Sequence, residues 1–90
     1  PKEPNRMIKV FFFASVREAL DCDALDIPWP GDGLHLEALT EALCAERGPV
    51  WRTVLNQDNL IVAVNQAITD DDCVIRNGDE VAYFPPVTGG

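Results

Sequence analysis

The residues best placed to do chemistry are the last six, Pro85-Pro86-Val87-Thr88-Gly89-Gly90. Two prolines lock φ near −65° and favour an extended path out of the fold. Two glycines follow, and without a Cβ they let the main chain enter a slot that a side chain would block. None of the six carries a charged side chain. The one ionised group is the α-carboxylate of Gly90, with an ordinary pKa of roughly 3.5. Six residues at about 3.3 Å each give a reach of about 20 Å from Phe84. A bare glycine carboxylate on a stiff, uncharged tail suits activation and modification by another protein. A frayed terminus is the common alternative, but frayed ends are more often polar.

No other group of residues competes as a reactive site. With His35 as the one histidine, the chain lacks a Ser-His-Asp or Cys-His set. Cys22, Cys44 and Cys73 show no C-x-x-C spacing and are too few for a four-ligand zinc site. They read as free thiols in a reducing cytoplasm. None has a neighbouring Lys or His to favour a reactive thiolate. The run Asp70-Asp71-Asp72 lacks the spacing and the bidentate Glu of a calcium loop, and reads as a solvated turn.

Composition excludes further classes. Fifteen acidic against seven basic side chains leave a net charge of −8, which repels phosphate backbones and argues against nucleic acid. No apolar run approaches the ~20 residues of a membrane span. Residues 1–6 lack a signal-peptide core and read as an extension or remnant ahead of Met7. Residues 7–84 then form one domain, and residues 85–90 a flexible tail.

The elements that must position the tail follow from periodicity. MIKVFFFA (residues 7–14) reads as an interior strand, with Ile8, Val10 and Phe12 on one face and Lys9, Phe11 and Phe13 on the other. Residues 15–20 read as a turn or helical turn. Leu25 and Ile27 alternate in a second strand that ends at an edge marked by Pro28 and Pro30. The spacing of Leu36, Leu39 and Leu43 predicts a helix of about ten to twelve residues, stopped by Gly48-Pro49. Its N-cap is Asp32 or His35, and His35 is a poor cap. Residues 50–55 read as a short second helical piece. Leu60-Ile61-Val62-Ala63-Val64 reads as a strand covered on both faces, and Ala67-Ile68 as a stub strand. Asn77-Gly78-Asp79 is a turn, and Glu80–Phe84 the last strand, with Val81 and Tyr83 facing one way and Ala82 and Phe84 the other. This order predicts an α+β fold, a mixed sheet of about five strands with one main helix. One helix covers one sheet face. The other face must hide under loops or meet a partner, and Phe84, beside the tail, is the leading docking candidate, with Phe11 and Phe13 evenly balanced.

IKVFFFASVRE (8–18), LIVAVNQ (60–66) and GDEVAYFPPVTGG (78–90) resemble the small subunit of molybdopterin synthase, a sulfur carrier with the ubiquitin-like β-grasp fold. The resemblance implies that an ATP-dependent activating enzyme adenylates the Gly90 carboxylate and that a sulfur donor converts it to a thiocarboxylate. It further implies that the tail then enters the large synthase subunit and gives sulfur to cyclic pyranopterin monophosphate, two donations building the dithiolene of molybdopterin. Two small and two large subunits typically assemble. The chain binds no cofactor of its own in this scheme, ATP being used by the activating partner, and catalytic groups belong to the partners.

Carried onto this chain, the resemblance makes Gly90 the reacting terminus. Gly89 gives access, Pro85 and Pro86 reduce the entropy of threading, and Val87 and Thr88 line the partner's channel. Arg17 matches the VRE arginine, as a partner contact or in a salt bridge with Glu18 or Asp21. Asp79 reads as a turn residue, and Glu80 as a partner contact. The alternatives within the same fold are a sulfur carrier for thiazole synthesis or tRNA thiolation, and a modifier attached to lysines. An interaction module with an inert tail is the third.

Overall fold

A computed structural model describes residues 6–70 and 72–86. Val87, Thr88, Gly89 and Gly90, for which the sequence sets expectations, lie outside the described residues, as do residues 1–5 and Asp71. Strand β1 (Met7–Phe12) leads to helix α1 (Ala14–Leu20) and strand β2 (Ala24–Pro28). Helices α2 (Leu36–Arg47) and α3 (Pro49–Leu55) follow, then β3 (Ile61–Val64), β4 (Ala67–Thr69) and β5 (Glu80–Phe84). The strands form one sheet in the order β2-β1-β5-β3-β4. β1 runs parallel to β5 and antiparallel to β2, and β3 is antiparallel to both β4 and β5. This is the mixed β-grasp sheet that the resemblance implies, with β1 interior and β2 an edge ending at Pro28.

The helices cover one face because their apolar stripes meet the inward half of each alternating strand. Ile8, Val10 and Phe12 of β1 and Val81 and Tyr83 of β5 bury against Leu36, Leu39, Leu43 and Cys44 of α2 and Trp51, Val54 and Leu55 of α3. Phe12 lies edge-on to Trp51, with ring centroids 5.2 Å apart, and stacks on Tyr83 at 5.6 Å. The Tyr83 hydroxyl is 2.7 Å from Thr40 Oγ1 on α2, so the one phenol of the core is hydrogen-bonded.

Three helices replace the expected one main helix and weaker pieces. Gly48, at φ 105°, ends α2, and Pro49 occupies the first turn of α3, where its missing N–H costs nothing. Glu41 of α2 accepts both hydrogen bonds of an Arg52 fork from α3 at 2.9 and 3.0 Å. That hydrogen bond, and then the guanidinium charge, holds the Glu41 carboxyl below its usual range. A depressed carboxyl contributes stability that is complete above its unfolded pKa and lost as pH falls through the folded one. Both groups are solvent-exposed, which keeps the contribution small. His35 is the N-cap of α2 and makes no side-chain cap bond; its Nδ1 lies 3.1 Å from the Gly33 carbonyl instead.

The VNQ and GDE stretches meet in a clip at the end of β5 away from the tail. Asn65 Nδ2 donates to Asp79 Oδ1 at 2.9 Å, and the Glu80 amide donates back to Asn65 Oδ1 at 3.1 Å. The other Asp79 oxygen accepts from the Arg76 amide at 2.8 Å. Asn65 and Gln66 both have positive φ (52° and 72°), as a two-residue hairpin loop between β3 and β4 requires. Asp79 is thus the turn residue expected, and it also anchors the β3–β4 hairpin. Asp79→Ala should lower the stability of this exposed clip by about 1–2 kcal/mol, read as a shift of the urea midpoint at unchanged slope.

Candidate functional site: the open sheet face and the root of the tail

Strand alternation sends Lys9, Phe11, Glu80, Ala82, Phe84, Ile61, Ala63 and Ile68 to the face away from the helices, and Phe13 joins them just past β1. Strand register arranges them in rows. Nearest the tail, Phe84 stands opposite Ile61. Phe13 stacks on Phe84 at 4.8 Å and 8°, and Phe11 lies 6.4 Å from Phe13. The middle row crosses four strands as Phe11, Ala82, Ala63 and Ile68. The far row is charged: Asp26, Lys9 and Glu80, with Lys9 Nζ 3.6 Å from Asp26.

A hollow of about 660 Å³ lies on this face, bounded in part by Phe13, Ile61, Ile68, Ala82, Phe84 and Pro85. Phe13 is 40% exposed and Ile68 76%, large values for such side chains. Apolar surface held in contiguous rows, with charge kept to one end, has the composition of an interface core and its rim.

The tail leaves from the apolar end of this face. The Phe13 amide donates to the Tyr83 carbonyl at 3.1 Å, the last tie between the two central strands. Pro85 and Pro86 have no N–H to extend the ladder, so strand pairing of β5 ends at Phe84. Both prolines are half-buried along the hollow. Ala14, also on the hollow, adopts the left-handed conformation at φ 53° as the chain turns from β1 into α1. That backbone favours glycine, and alanine there carries strain of order 1 kcal/mol.

Phe84, Phe13 and Phe11 therefore share the face away from the helices, Phe13 exposed and Phe11 and Phe84 half-buried. The β3 run departs from expectation: on the helix side Val64 is buried and Val62 half-buried, while Ile61 and Ala63 face the hollow. An unbroken apolar run reads as doubly buried, whereas here one side is apolar on an open surface. Ile61, Ala63, Ile68 and Ala82 were missed as site residues, and two-residue alternation applied to β3 and β4 was the signal that could have found them. Glu80 stands on the hollow's rim, away from the tail. Arg17 lies on α1, outside the hollow, and forms no side-chain ion pair among the described residues, so the bridge to Glu18 or Asp21 is not made.

The thiols do not form a second site. Cys44 is buried with Sγ 3.8 Å from the Trp51 carbonyl, and burial pushes its pKa up against the smaller opposing pull of Arg52. Cys22 and Cys73 are half-buried, each donating to a nearby carbonyl at 3.6 and 3.7 Å. Among the described residues no group of three or more His, Cys, Asp or Glu side chains could hold a metal ion, and no helix is long and apolar enough to cross a membrane. Replacing all three cysteines with serine or alanine should leave unchanged the sulfur donation that the resemblance implies, read in a transfer assay, since the raised Cys44 pKa works against the thiolate that sulfur chemistry needs.

The sequence model of the ThiS family matches residues 10–90. The molybdopterin synthase sulfur carrier subunit of Haemophilus influenzae is 42% identical over 84 residues, covering 93% of this chain and all of the relative. That of Escherichia coli is 44% identical over the same coverage. Among solved structures, SAMP1 of Haloferax volcanii superposes with a TM-score of 0.73 at 22% identity, over 93% of this chain and 99% of that one. A complex of subunits 1 and 2 of the molybdopterin-converting factor from Helicobacter pylori contains a chain that superposes with a TM-score of 0.62 at 22% identity, over 93% and 99%. A common fold with the modifier and converting-factor chains, and full-length similarity to the sulfur carriers, place the sequence: the chain belongs to the ThiS family, among the molybdopterin synthase sulfur carrier subunits.

Proposed function

We propose that the chain is the sulfur carrier subunit of a molybdopterin synthase and acts as a co-substrate presented by a docking domain. The observation that carries this is the junction of the open apolar face with the Pro85-Pro86 root of a tail ending in Gly-Gly. A partner that seats on Phe84 and Phe13 has the Gly90 carboxylate within about 20 Å of that seat.

The chemistry follows from the poor electrophilicity of a carboxylate, whose charge repels nucleophiles and whose oxygen leaves badly. In the activating enzyme a Gly90 oxygen attacks the α-phosphorus of ATP, and pyrophosphate departs. Sulfur delivered at the sulfide level (HS−) then attacks the acyl carbon, and AMP leaves with the carboxyl oxygen. The product is a thiocarboxylate whose sulfur is a good nucleophile at neutral pH. In the large subunit that sulfur forms a C–S bond to cyclic pyranopterin monophosphate as an oxygen substituent leaves. Water then cleaves the acyl C–S bond of the resulting thioester, leaving the thiol on the pterin and returning the carrier as the carboxylate. Donors that stabilise the oxyanion at the acyl carbon belong to the partners; this chain supplies terminus, reach and seat.

Purified thiocarboxylated chain, mixed with its large subunit and the pterin precursor, should yield molybdopterin stoichiometrically in carrier sulfur. Formation of thiazole or thiolated tRNA by the same species, with no dithiolene product, would overturn the assignment. Covalent lysine adducts in cell extract would mark a protein modifier instead.

A further inference from the structure

The middle row of the open face has a feature that a flat apolar seat does not need. Ala82 and Ala63 stand side by side in register at its centre, while larger side chains flank them, Phe11 on β1 and Ile68 on β4. Both alanines are buried in the sheet surface, and their methyl groups form the floor of the 660 Å³ hollow. The walls are the stacked Phe13–Phe84 pair, Ile61 and Ile68. An interface that left this space empty would forfeit the dispersion contacts of the whole lining. Shape complementarity at interface cores matches that of protein interiors, so such a hollow is filled.

We infer that this hollow is a socket for a bulky apolar side chain, aromatic or branched aliphatic, projecting from the large subunit that grips the tail, and that Ala63 and Ala82 set the size of side chain admitted. The inference rests on the function proposed above.

The length of chain beyond the hollow identifies the occupant. Four residues follow Pro86, itself on the hollow's wall, and span about 13–14 Å when extended. A protein that acts on Gly90 is therefore held close over the hollow. The other possible occupants fit less well. Beyond Pro86 the chain's own tail offers Val87 as its one sizeable apolar side chain, which is small for the space. A second copy brings another net charge of −8 against the first. Glu80 on the rim favours a partner with a basic group beside the inserted side chain.

The test is calorimetric titration of the full chain with its own large subunit. Ala82→Leu and Ala63→Leu each put an isobutyl group into the hollow while pointing away from the helix-side core. Both should melt within a few degrees of the parent and bind on the order of 100-fold more weakly, because overpacking of a fitted contact has no room to relax. Should either leucine variant fail to fold, Ala63→Val makes the same test with a smaller group. A folded leucine variant that binds like the parent sinks the socket alone. Failure of the parent to bind its large subunit sinks the socket together with the proposed function. Sedimentation of the chain by itself supplies the remaining outcome: a dimer dispersed by Ala82→Leu would make a second copy the occupant and overturn the assignment to the large subunit.

Discussion

Removal of Gly90 should leave the melting temperature unchanged and abolish sulfur transfer. Among the described residues, the core described above is closed by side chains between Ile8 and Tyr83. Truncation still leaves a carboxylate, now on Gly89, so the loss comes from position. The reacting carbon retreats by one residue, about 3.3–3.6 Å. A misplacement of even about 1 Å can cost on the order of 100-fold where two groups must meet in a closed site. The large-subunit affinity should fall little, because the seat on the open face is intact. Binding and turnover thus separate in this variant, and a truncated chain that still transfers sulfur at the parent rate contradicts the mechanism.

Phe84→Ala should produce the converse separation. The tip is unchanged, and the seat loses the ring that stacks on Phe13 beside the root of the tail. Aromatic anchors near the centre of an interface are the side chains whose truncation costs most, here about 2–4 kcal/mol of binding, or roughly 30- to 1000-fold in Kd. Phe84 is only half-buried in the free chain, so the fold loses much less than the complex. Saturating concentrations of the partner should restore most of the transfer rate. Unchanged affinity would return Phe84 to a purely structural role.

The alternation in β1 and β5 was legible because a strand repeats every two residues and both strands have one face in the core. Ile8, Val10, Phe12, Val81 and Tyr83 were thereby separable from Phe11, Phe13, Ala82 and Phe84. α2 was legible from Leu36, Leu39 and Leu43. Sheet order was not, because the parallel β1–β5 pairing joins segments some seventy residues apart and no local pattern encodes it. α1 was understated, since Val16 and Leu20 give a single helical repeat and the left-handed turn at Ala14 is invisible in an alanine. The β3 run shows the deeper limit. Composition reports that Ile61 and Ala63 are apolar, but it does not report whether their cover is this chain or another. Ile68 was missed for the same reason, being a core-type residue standing 76% exposed. The VNQ and GDE motifs, noticed as marks of a family, act in the fold as the Asn65–Asp79 clip.

The most direct test of the central claim is the intact mass of the chain after incubation with ATP, its activating enzyme and a sulfur source. The account predicts a single exchange of one oxygen for one sulfur, localised by fragmentation to Gly90 and unaffected by replacing Cys22, Cys44 and Cys73. A mass gain that maps to a cysteine, or an unaltered terminus under conditions that charge a known carrier, would contradict it.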